Sequence, residues 1–254
     1  MGLPLTLLRR AGDRLTAAAI GAFLVASAGL WAFLTIAGEM QEGETRALDE
    51  RLLLMLRTPG HPDNPLGPRW VEEAMRDITA LGGFTVLTLV GVVGVIALAR
   101  ARRWRSALIL AGVSLGAELT SDLLKLLYAR PRPDLTAQGS YVYTHSFPSG
   151  HSTVSTAIYF TLAALLAGAV ARRGSRALIL MTTALLVFSI GLSRVYLGVH
   201  WPTDVVAGWV VGSMWAAAGW RLLRLTREHG LPNGLPQGQA VSRAWARSSP
   251  NEGP

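Results

Sequence analysis

The sequence predicts an all-α fold: a polytopic bundle of six transmembrane helices, with both termini cytoplasmic and amphipathic helices in the first outer loop. Half of the 254 residues are hydrophobic and only 16% are charged, and the mean hydropathy is +0.35. This composition is typical of integral membrane proteins rather than soluble domains. Six apolar runs each approach the roughly 20 residues that cross a bilayer as a helix. Arginines are concentrated in alternate segments between these runs, which predicts the orientation.

The six apolar runs are separated by polar segments. They lie at about 15–37, 79–99, 106–128, 149–171, 177–196 and 203–223. An alternative for the first run is a signal peptide, because Arg9 and Arg10 precede it and residues 25–28 resemble a cleavage site. We expect a membrane span instead, because the apolar stretch continues to Ala37 and is longer than the apolar region of a signal peptide.

Arginine placement predicts which side of the bundle is cytoplasmic. The N-terminus, the loops after the second and fourth runs and the C-terminal segment are rich in arginine, so both termini are expected in the cytoplasm. We expect a cytoplasmic N-terminus at 1–14, a membrane domain at 15–229 and a disordered cytoplasmic tail at 230–254. The arginines do not gather on one face, so the net charge of +8 is assigned to topology. No nucleic-acid partner is expected.

The outer loop at about 38–78 mixes acidic residues with arginines. Two stretches in it carry apolar residues at helical spacing. These residues are Leu48, Leu52, Leu53 and Leu56 in the first stretch, and Trp70, Val71, Ala74, Met75 and Ile78 in the second. The segment His61–Pro68 between them is rich in Pro, Gly, Asn and Asp and predicts a turn. We expect two short helices at the membrane surface, and packing against the bundle is an equally good alternative.

The first residues with chemical potential lie at the outer end of the third run. Lys125 is the only lysine in the chain, and Arg132 follows it in an Arg-Pro-Arg-Pro segment. The prolines disfavour helix there and hold the arginines in extended backbone. Arg130 of the same segment is expected to be a surface anchor rather than a phosphate ligand. Within the run, Glu118 and Asp122 share one face, and a structural pairing of Asp122 with a basic group is expected.

The fourth run begins with the residues Pro-Ser-Gly-His at 148–151. A proline followed by a serine is a helix-start signal. Free main-chain N–H groups at a helix start, the Ser149 hydroxyl and the close approach allowed by Gly150 form an anion site. His151 then lies in the first turn, beside any bound anion. The alternative for His151 is a polar residue at the membrane interface.

The last motif lies between the fifth and sixth runs. His200 precedes Asp204 by four residues, with Pro202 between them. Proline suits the first turn of a helix, so Asp204 is expected to lie under His200 and accept its ring N–H. A carboxylate behind an imidazole fixes the tautomer and raises the basicity of the other nitrogen. Arg194, further upstream, offers a planar fork of donors suited to phosphate.

The predicted topology places all three motifs on the non-cytoplasmic face. Unrelated polar residues at helix ends would be scattered over both faces, so this convergence favours one site. Together the motifs resemble the type 2 phosphatidic acid phosphatase superfamily, which includes membrane lipid phosphatases, bacterial acid phosphatases and vanadium haloperoxidases. The residues that carry the resemblance are Lys125, Arg132, Pro133, Pro148, Ser149, Gly150, His151, Ser193, Arg194, His200 and Asp204.

The resemblance implies a role for each of these polar residues. His200 resembles the nucleophile that forms a phosphohistidine, and Asp204 resembles the residue that orients its ring. His151 resembles the general acid that later acts as a base. The groups implied to hold the phosphoryl oxygens are Lys125, Arg132, Ser149, Gly150 and Arg194. Three fixed cations make a metal unnecessary, and the chain has no cysteine, so no cofactor and no metal site are expected.

The function implied is an integral membrane lipid phosphate phosphatase. The composition, rich in arginine and alanine and free of cysteine, fits a bacterial inner membrane, and the arginine placement predicts an active site facing the periplasm or exterior. Its partners are the bilayer and a lipid phosphate, with phosphatidic acid and phosphatidylglycerophosphate as candidates. Undecaprenyl pyrophosphate phosphatase is an alternative that uses the same site, whereas six spans disfavour a vanadium haloperoxidase. A non-catalytic membrane scaffold or transporter predicts degenerate motif positions, and this sequence has none. The lipid and the oligomeric state are not readable from the sequence.

Overall fold

The computed structural model describes residues 5–135 and 144–228, which form eight helices and one two-stranded sheet. In chain order the elements are α1 (Leu5–Glu42), α2 (Arg46–Leu54), β1 (Arg57–Thr58), β2 (His61–Pro65), α3 (Arg69–Ala80), α4 (Phe84–Arg100), α5 (Trp104–Tyr128), α6 (Gly150–Ala167), α7 (Arg173–Tyr196) and α8 (Pro202–Glu228). One compact unit comprises Met1–Leu223, and a second comprises Arg224–Pro254, of which only the end of α8 is described. The tail predicted at 230–254 lies outside the described residues.

Each of the six predicted runs corresponds to one long helix, which confirms a mostly helical fold. Among the described helices, the segments long and apolar enough to cross a membrane are Phe23–Glu42, Trp104–Tyr128 and Arg173–Tyr196. The pair α3 and α4, bent by 43°, adds a fourth if it forms one span. Serine and threonine in α6, and glycine and tryptophan in α8, lower the hydropathy of these two helices. Six spans and cytoplasmic termini therefore stay predictions.

The helix α6 lies at the centre of the packing, against α4, α5 and α7. All five of its serines and threonines are buried. The threonine hydroxyls donate to carbonyls one turn earlier, from Thr153 to Ser149 at 2.9 Å and from Thr161 to Ala157 at 2.7 Å. Hydroxyls bonded in this way are satisfied inside apolar surroundings. A helix of modest hydropathy can therefore form the core of the bundle.

Two glycines bring α8 into close contact with the main chain of α6. Gly208 and Gly212 lie one turn apart and both face α6. A β-carbon at Gly208 would lie 2.7 Å from the Ser149 carbonyl oxygen, and one at Gly212 would overlap the Thr153 carbonyl oxygen. Small residues at this spacing allow close helix packing in membranes. Here they hold the start of α8 beside the start of α6.

Replacing Gly212 by alanine is expected to destabilise the protein by about 1–3 kcal/mol, because the added carbon forces the α6 main chain away. The measurement is the free energy of unfolding, from a denaturant titration of the purified chain in detergent. Gly112→Ala in α5 is the matched control, because no described atom lies within 4 Å of a β-carbon there. Equal stability of the two variants would contradict a tight contact between α6 and α8.

The outer loop packs against the helix ends that carry the three motifs. The helices α2 and α3 confirm the two short helices predicted in this loop. Leu53 of α2 is fully buried in a cluster with Val195 and Trp201, and Met75 of α3 packs against the cluster that contains Tyr196. The loop therefore covers the end of α7 and the turn that follows it, as the packing alternative predicts. Placement of these helices at a membrane surface stays a prediction.

The strictly all-α class is corrected to a mostly helical one, because β1 and β2 form an antiparallel pair. Arg57 pairs with Pro65, and Thr58 pairs with His61. The turn predicted at His61–Pro68 is therefore wrong where β2 runs. This strand is mostly exposed and has no alternating apolar residues, so its pairing depends on main-chain hydrogen bonds. Sequence periodicity reports side-chain burial and gives no signal for such a strand.

Candidate active site

The turn between α7 and α8 places His200 inside the protein. Gly198 closes the end of α7 with a φ of 71°, a conformation that glycine adopts without strain. The Val199 N–H then donates to the Arg194 carbonyl at 3.1 Å. Pro202 begins α8, where its fixed φ and missing N–H suit the first turn. His200 lies between these two local features and is only 2% exposed.

Asp204 lies behind the imidazole of His200, as the four-residue spacing predicts. Its Oδ2 is 3.4 Å from His200 Nδ1 and accepts the Trp201 main-chain N–H at 2.9 Å. The buried Ser146 hydroxyl donates to the same oxygen and lies 3.4 Å from Nδ1. A carboxylate at Nδ1 favours the tautomer with the proton on that nitrogen. The lone pair is then on Nε2.

Arg132 faces the other side of the imidazole. Its Nη1 lies 3.2 Å from His200 Nε2 and donates to the Val199 carbonyl at 2.6 Å. Its Nε donates to the Thr144 carbonyl at 2.8 Å, so main-chain oxygens fix the guanidinium group. Burial lowers the pKa of Arg132, while the Asp204 charge opposes this shift. A guanidinium stays protonated in proteins, so a fixed cation lies beside the nitrogen that carries the lone pair.

The start of α6 faces Lys125 of α5. Ser149 caps α6 by accepting the Ser152 N–H at 3.4 Å, and its own N–H donates to the Asp204 carbonyl at 2.9 Å. A β-carbon at Gly150 would lie 2.9 Å from Lys125 Nζ. Glycine therefore allows the ammonium group to approach the first turn, where main-chain N–H groups favour an anion.

Arg194 and His151 complete this group of side chains. Arg194, in the last turn of α7, is 5% exposed, and its Nη1 donates to Thr79 at 2.9 Å. Its buried Nε has no hydrogen-bond partner among the described residues. His151, in the first turn of α6, lies within electrostatic range of His200 and of the three cations just described. All eight residues that the sequence assigned to the site therefore lie around His200 and the start of α6.

Arg130 is not a surface anchor, which corrects the expectation from the sequence. Its side chain is 10% exposed, and its Nη1 donates to Asp204 Oδ1 at 2.6 Å. The guanidinium also lies over the Trp201 ring, 5.6 Å from the centroid. A signal was present in the Arg-Pro-Arg-Pro segment, because residues two apart in extended backbone share a face. Arg130 therefore approaches the same histidine–aspartate pair as Arg132.

Asp49 and Ser146 are two further residues of the site that sequence reasoning missed. Both are fully buried. Asp49 of α2 accepts a hydrogen bond from Arg130 Nη2 at 2.7 Å, and Ser146 contacts Asp204 as described above. Asp49 is one of many acidic residues in the outer loop, and Ser146 belongs to no motif. Neither residue therefore has a sequence signal that separates it from its neighbours.

The pairing expected for Asp122 is confirmed. Its Oδ1 lies 3.2 Å from Lys125 Nζ, one turn later on α5. This contact leaves the ammonium group beside the start of α6 and gives it one carboxylate partner. Over residues 5–135 and 144–228, no cluster of three or more histidine or acidic side chains is arranged to hold a metal ion.

Burial changes the acid–base behaviour of His200. Loss of hydration lowers its pKa to about 4, although the hydrogen bond to Asp204 opposes the shift. The ordinary pKa of histidine is about 6.5, so the folded protein keeps this ring neutral above roughly pH 5 and charges it only near pH 4. At neutral pH Nε2 is therefore unprotonated.

An NMR titration of the chain with labelled histidine rings is expected to show no shift of the His200 signals between about pH 5 and pH 8. His200→Gln assigns the signals by their disappearance. The same chain unfolded in denaturant provides the reference, with a midpoint expected near about 6.5. A midpoint at that reference value in the folded chain would contradict the burial of a neutral imidazole.

Comparison with known proteins indicates one family. The sequence model of the PAP2 superfamily matches residues 106–228. The chain is 28% identical over 186 residues to phosphatidylglycerophosphatase B of Bacillus subtilis, which covers 71% of this chain and 85% of that protein. It is 38% identical over 134 residues to decaprenylphosphoryl-5-phosphoribose phosphatase of Mycobacterium tuberculosis, which covers 52% of this chain and 66% of that protein.

The fold also has a counterpart among solved structures. The crystal structure of a transmembrane PAP2 type phosphatidylglycerolphosphate phosphatase from Bacillus subtilis superposes with a TM-score of 0.67 at 25% sequence identity. The superposition covers 82% of this chain and 98% of that one. The region matched by the family model contains every residue that the sequence assigned to the site. The chain belongs to the PAP2 superfamily, and its relatives named here are phosphatases of lipid phosphates.

Proposed function

We propose that this chain is an integral membrane phosphatase that hydrolyses the phosphomonoester or pyrophosphate of a lipid through a phosphohistidine intermediate. The observation that supports this most directly is the arrangement at His200, with Arg132 at Nε2 and Asp204 at Nδ1. A neutral imidazole whose lone pair lies beside a fixed cation is suited to attack a phosphoryl group. The proposed reaction assigns no step to a metal ion.

In the first step, His200 Nε2 attacks phosphorus in line with the bond to the lipid oxygen. The N–P bond forms while this P–O bond breaks, and the leaving oxygen takes a proton from His151. Asp204 retains the hydrogen bond to Nδ1–H and stabilises the positive charge that develops on the ring. The products are the phosphohistidine and a lipid alcohol, or a lipid monophosphate when the substrate is a pyrophosphate.

In the second step, water attacks the phosphorus atom of the phosphohistidine. His151 is neutral after the first step and accepts a proton from this water. The N–P bond breaks, its electron pair returns to Nε2, and inorganic phosphate leaves. His151 thereby regains the proton that the next cycle needs. Its position in the first turn of α6, within electrostatic range of His200, supports this double role.

The phosphoryl oxygens are assigned to the cations around the start of α6. In the loose transition state of phosphoryl transfer, negative charge spreads over three equatorial oxygens. Fixed donors stabilise this charge without having to reorganise during the reaction. The donors we assign are Lys125, Arg132, Arg194, the Ser149 hydroxyl and the Gly150 N–H. The buried Nε of Arg194, unpartnered within the described part of the chain, supports its assignment.

We assign the site to the non-cytoplasmic face of a six-span bundle in a bacterial inner membrane. The site contains the ends of α5 and α7 and the starts of α6 and α8, so four consecutive helices meet there with alternating directions. The arginine-rich segments adjoin the opposite ends of these helices. Arginine-rich segments favour the cytoplasm, which supports an active site facing the periplasm or exterior and cytoplasmic termini.

The relatives support a phosphorylated lipid as the substrate. Phosphatidylglycerophosphate is our first candidate, because two comparisons with wide coverage of this chain involve phosphatases named for it. A polyprenyl phosphate is the second candidate, because the relative at 38% identity is named for a decaprenyl phosphate derivative. The activity test therefore includes undecaprenyl pyrophosphate beside phosphatidylglycerophosphate and phosphatidic acid.

The test is release of inorganic phosphate by the purified full chain in detergent, with a metal chelator present. Phosphatidylglycerophosphate, phosphatidic acid and undecaprenyl pyrophosphate are compared at equal concentrations. We expect release from at least one lipid, inhibition by vanadate, and loss of release when His151, His200 and Asp204 are all replaced by alanine. Unchanged release by this triple variant would contradict the proposal and favour the non-catalytic scaffold or transporter.

A further inference from the structure

Arg130 joins two buried carboxylates that are distant in sequence. Its Nη1 donates to Asp204 Oδ1 at 2.6 Å, and its Nη2 donates to Asp49 Oδ2 at 2.7 Å. Both aspartates are fully buried. The guanidinium group is planar and rigid, with donors in a fixed fork. It therefore holds the two carboxylates at a set separation and orientation.

Asp49 also binds the first turn of α8. The Thr203 main-chain N–H donates to its Oδ1 at 2.9 Å, and the Thr203 hydroxyl donates to its Oδ2 at 2.7 Å. A carboxylate is favoured at a helix start, because the first N–H groups have no partner within the helix. Asp49 therefore fixes the residue next to Asp204 as well as the arginine that binds Asp204.

The Asp204 carboxylate is held on both of its oxygens. Oδ1 accepts from Arg130, while Oδ2 accepts from the Trp201 N–H and from Ser146 and faces His200. The Oδ1 side depends on the outer loop through Arg130, which donates to Asp49 and also to the Thr203 hydroxyl at 2.8 Å. If Arg130 shifts, the carboxylate can rotate away from His200 Nδ1.

We propose that Asp49 and Arg130 are positioning residues for the reaction. Helix α2 of the outer loop then helps to fix the orientation of the Asp204 carboxylate in the catalytic centre. This inference rests on the phosphatase function proposed above. Asp49 acts through Arg130, and Arg130 acts through Asp204, without contact to the substrate. A rotated Asp204 no longer selects the Nδ1–H tautomer, and an imidazole that carries its proton on Nε2 cannot attack phosphorus.

Two substitutions test this series of contacts, which runs from Asp49 through Arg130 to Asp204. Asp49→Asn keeps the size of the side chain, but one carboxylate oxygen becomes an amide group that cannot accept from Arg130. Arg130→Lys keeps the charge but cannot span two carboxylates. We expect each variant to lower kcat by about 10- to 100-fold, the range for groups that orient metal ligands, with KM changed less than about twofold. The inhibition constant of inorganic phosphate is expected to stay unchanged, because phosphate binding uses other residues.

Glu50→Gln is the matched control. Glu50 is adjacent to Asp49 on α2 but pairs with Arg46 on the exposed side at 2.8 Å, so full activity is expected. The double variant of Asp49→Asn with Arg130→Lys is expected to be no slower than the slower single variant. The effects of substituting two residues that act through the same series of contacts do not add.

An unchanged kcat in both single variants would overturn the inference. The inference would also be overturned if the losses of kcat multiply in the double variant while KM rises and the midpoint of thermal unfolding falls, because these changes mark a general loss of structure. If Asp49→Asn does not fold, the same readouts on folded Arg130→Lys decide the inference. The wild type and Glu50→Gln report the proposed function separately: a lack of phosphate release in these two chains contradicts the function itself.

Discussion

Replacing His200 by alanine is expected to lower the rate of phosphate release by at least about 10⁴-fold. The imidazole supplies the atom that bonds to phosphorus, and the surrounding cations cannot take over that bond. The measurement is the initial rate with the best lipid of the panel, at equal concentrations of folded protein. A rapid-quench experiment with ³²P-labelled lipid should also find label bound to the wild-type chain and none bound to the variant.

The control for this variant is His61→Ala, which removes an exposed imidazole from β2. We expect it to retain the wild-type rate and the bound label. Label on the His200→Ala chain would show that another residue is the nucleophile. A rate within about tenfold of the wild type would contradict the assignment in the same way, because one tenfold step is only about 1.4 kcal/mol of barrier.

Replacing His151 by alanine is expected to slow hydrolysis of the lipid by about 10²- to 10⁴-fold, the usual contribution of a general acid or base. A lipid alkoxide leaves poorly without a proton, whereas p-nitrophenolate leaves readily. The first step with p-nitrophenyl phosphate should therefore be slowed much less. The second step still lacks its base, so the phosphohistidine should accumulate. The measurement is a stopped-flow trace, with a burst of p-nitrophenolate followed by slow turnover.

His145→Ala is the matched control for the His151 variant. The His145 side chain is exposed, and its main-chain carbonyl, which accepts from Arg132 at 3.4 Å, is kept by alanine. This control should behave as the wild type with both substrates. Equal slowing of the two substrates by His151→Ala, without a burst, would contradict the general acid and base assignment.

The long helices were predictable because their apolar runs and their ends carry side-chain signals. The run predicted at 106–128 is α5 at Trp104–Tyr128, and the run predicted at 177–196 is α7 at Arg173–Tyr196. The second run was placed less well, at 79–99, because the chain breaks between α3 and α4 and α4 begins at Phe84. The apolar sequence continues across this break, so the hydropathy pattern does not indicate the 43° change of direction between α3 and α4.

The site was predictable where chemistry and short spacing coincide. His200 and Asp204 are four residues apart, so a single helix start determines how they meet. Asp49 shows the opposite case, because its partners Arg130 and Thr203 lie 81 and 154 residues away in sequence. A contact between such distant residues depends on how the helices pack, and a local pattern does not record it.

The hydrogen bond from the Ser149 N–H to the Asp204 carbonyl joins the start of α6 to the start of α8. Ribosomes deliver the chain from its N-terminus, so the groups assigned to phosphate binding on α5 and α6 emerge well before His200. A nascent chain that ends within α7 contains the anion-binding groups of α5 and α6 but lacks His200, the proposed nucleophile. Under the proposed function, such a chain binds phosphate without hydrolysing it, and activity begins only when the start of α8 joins the start of α6.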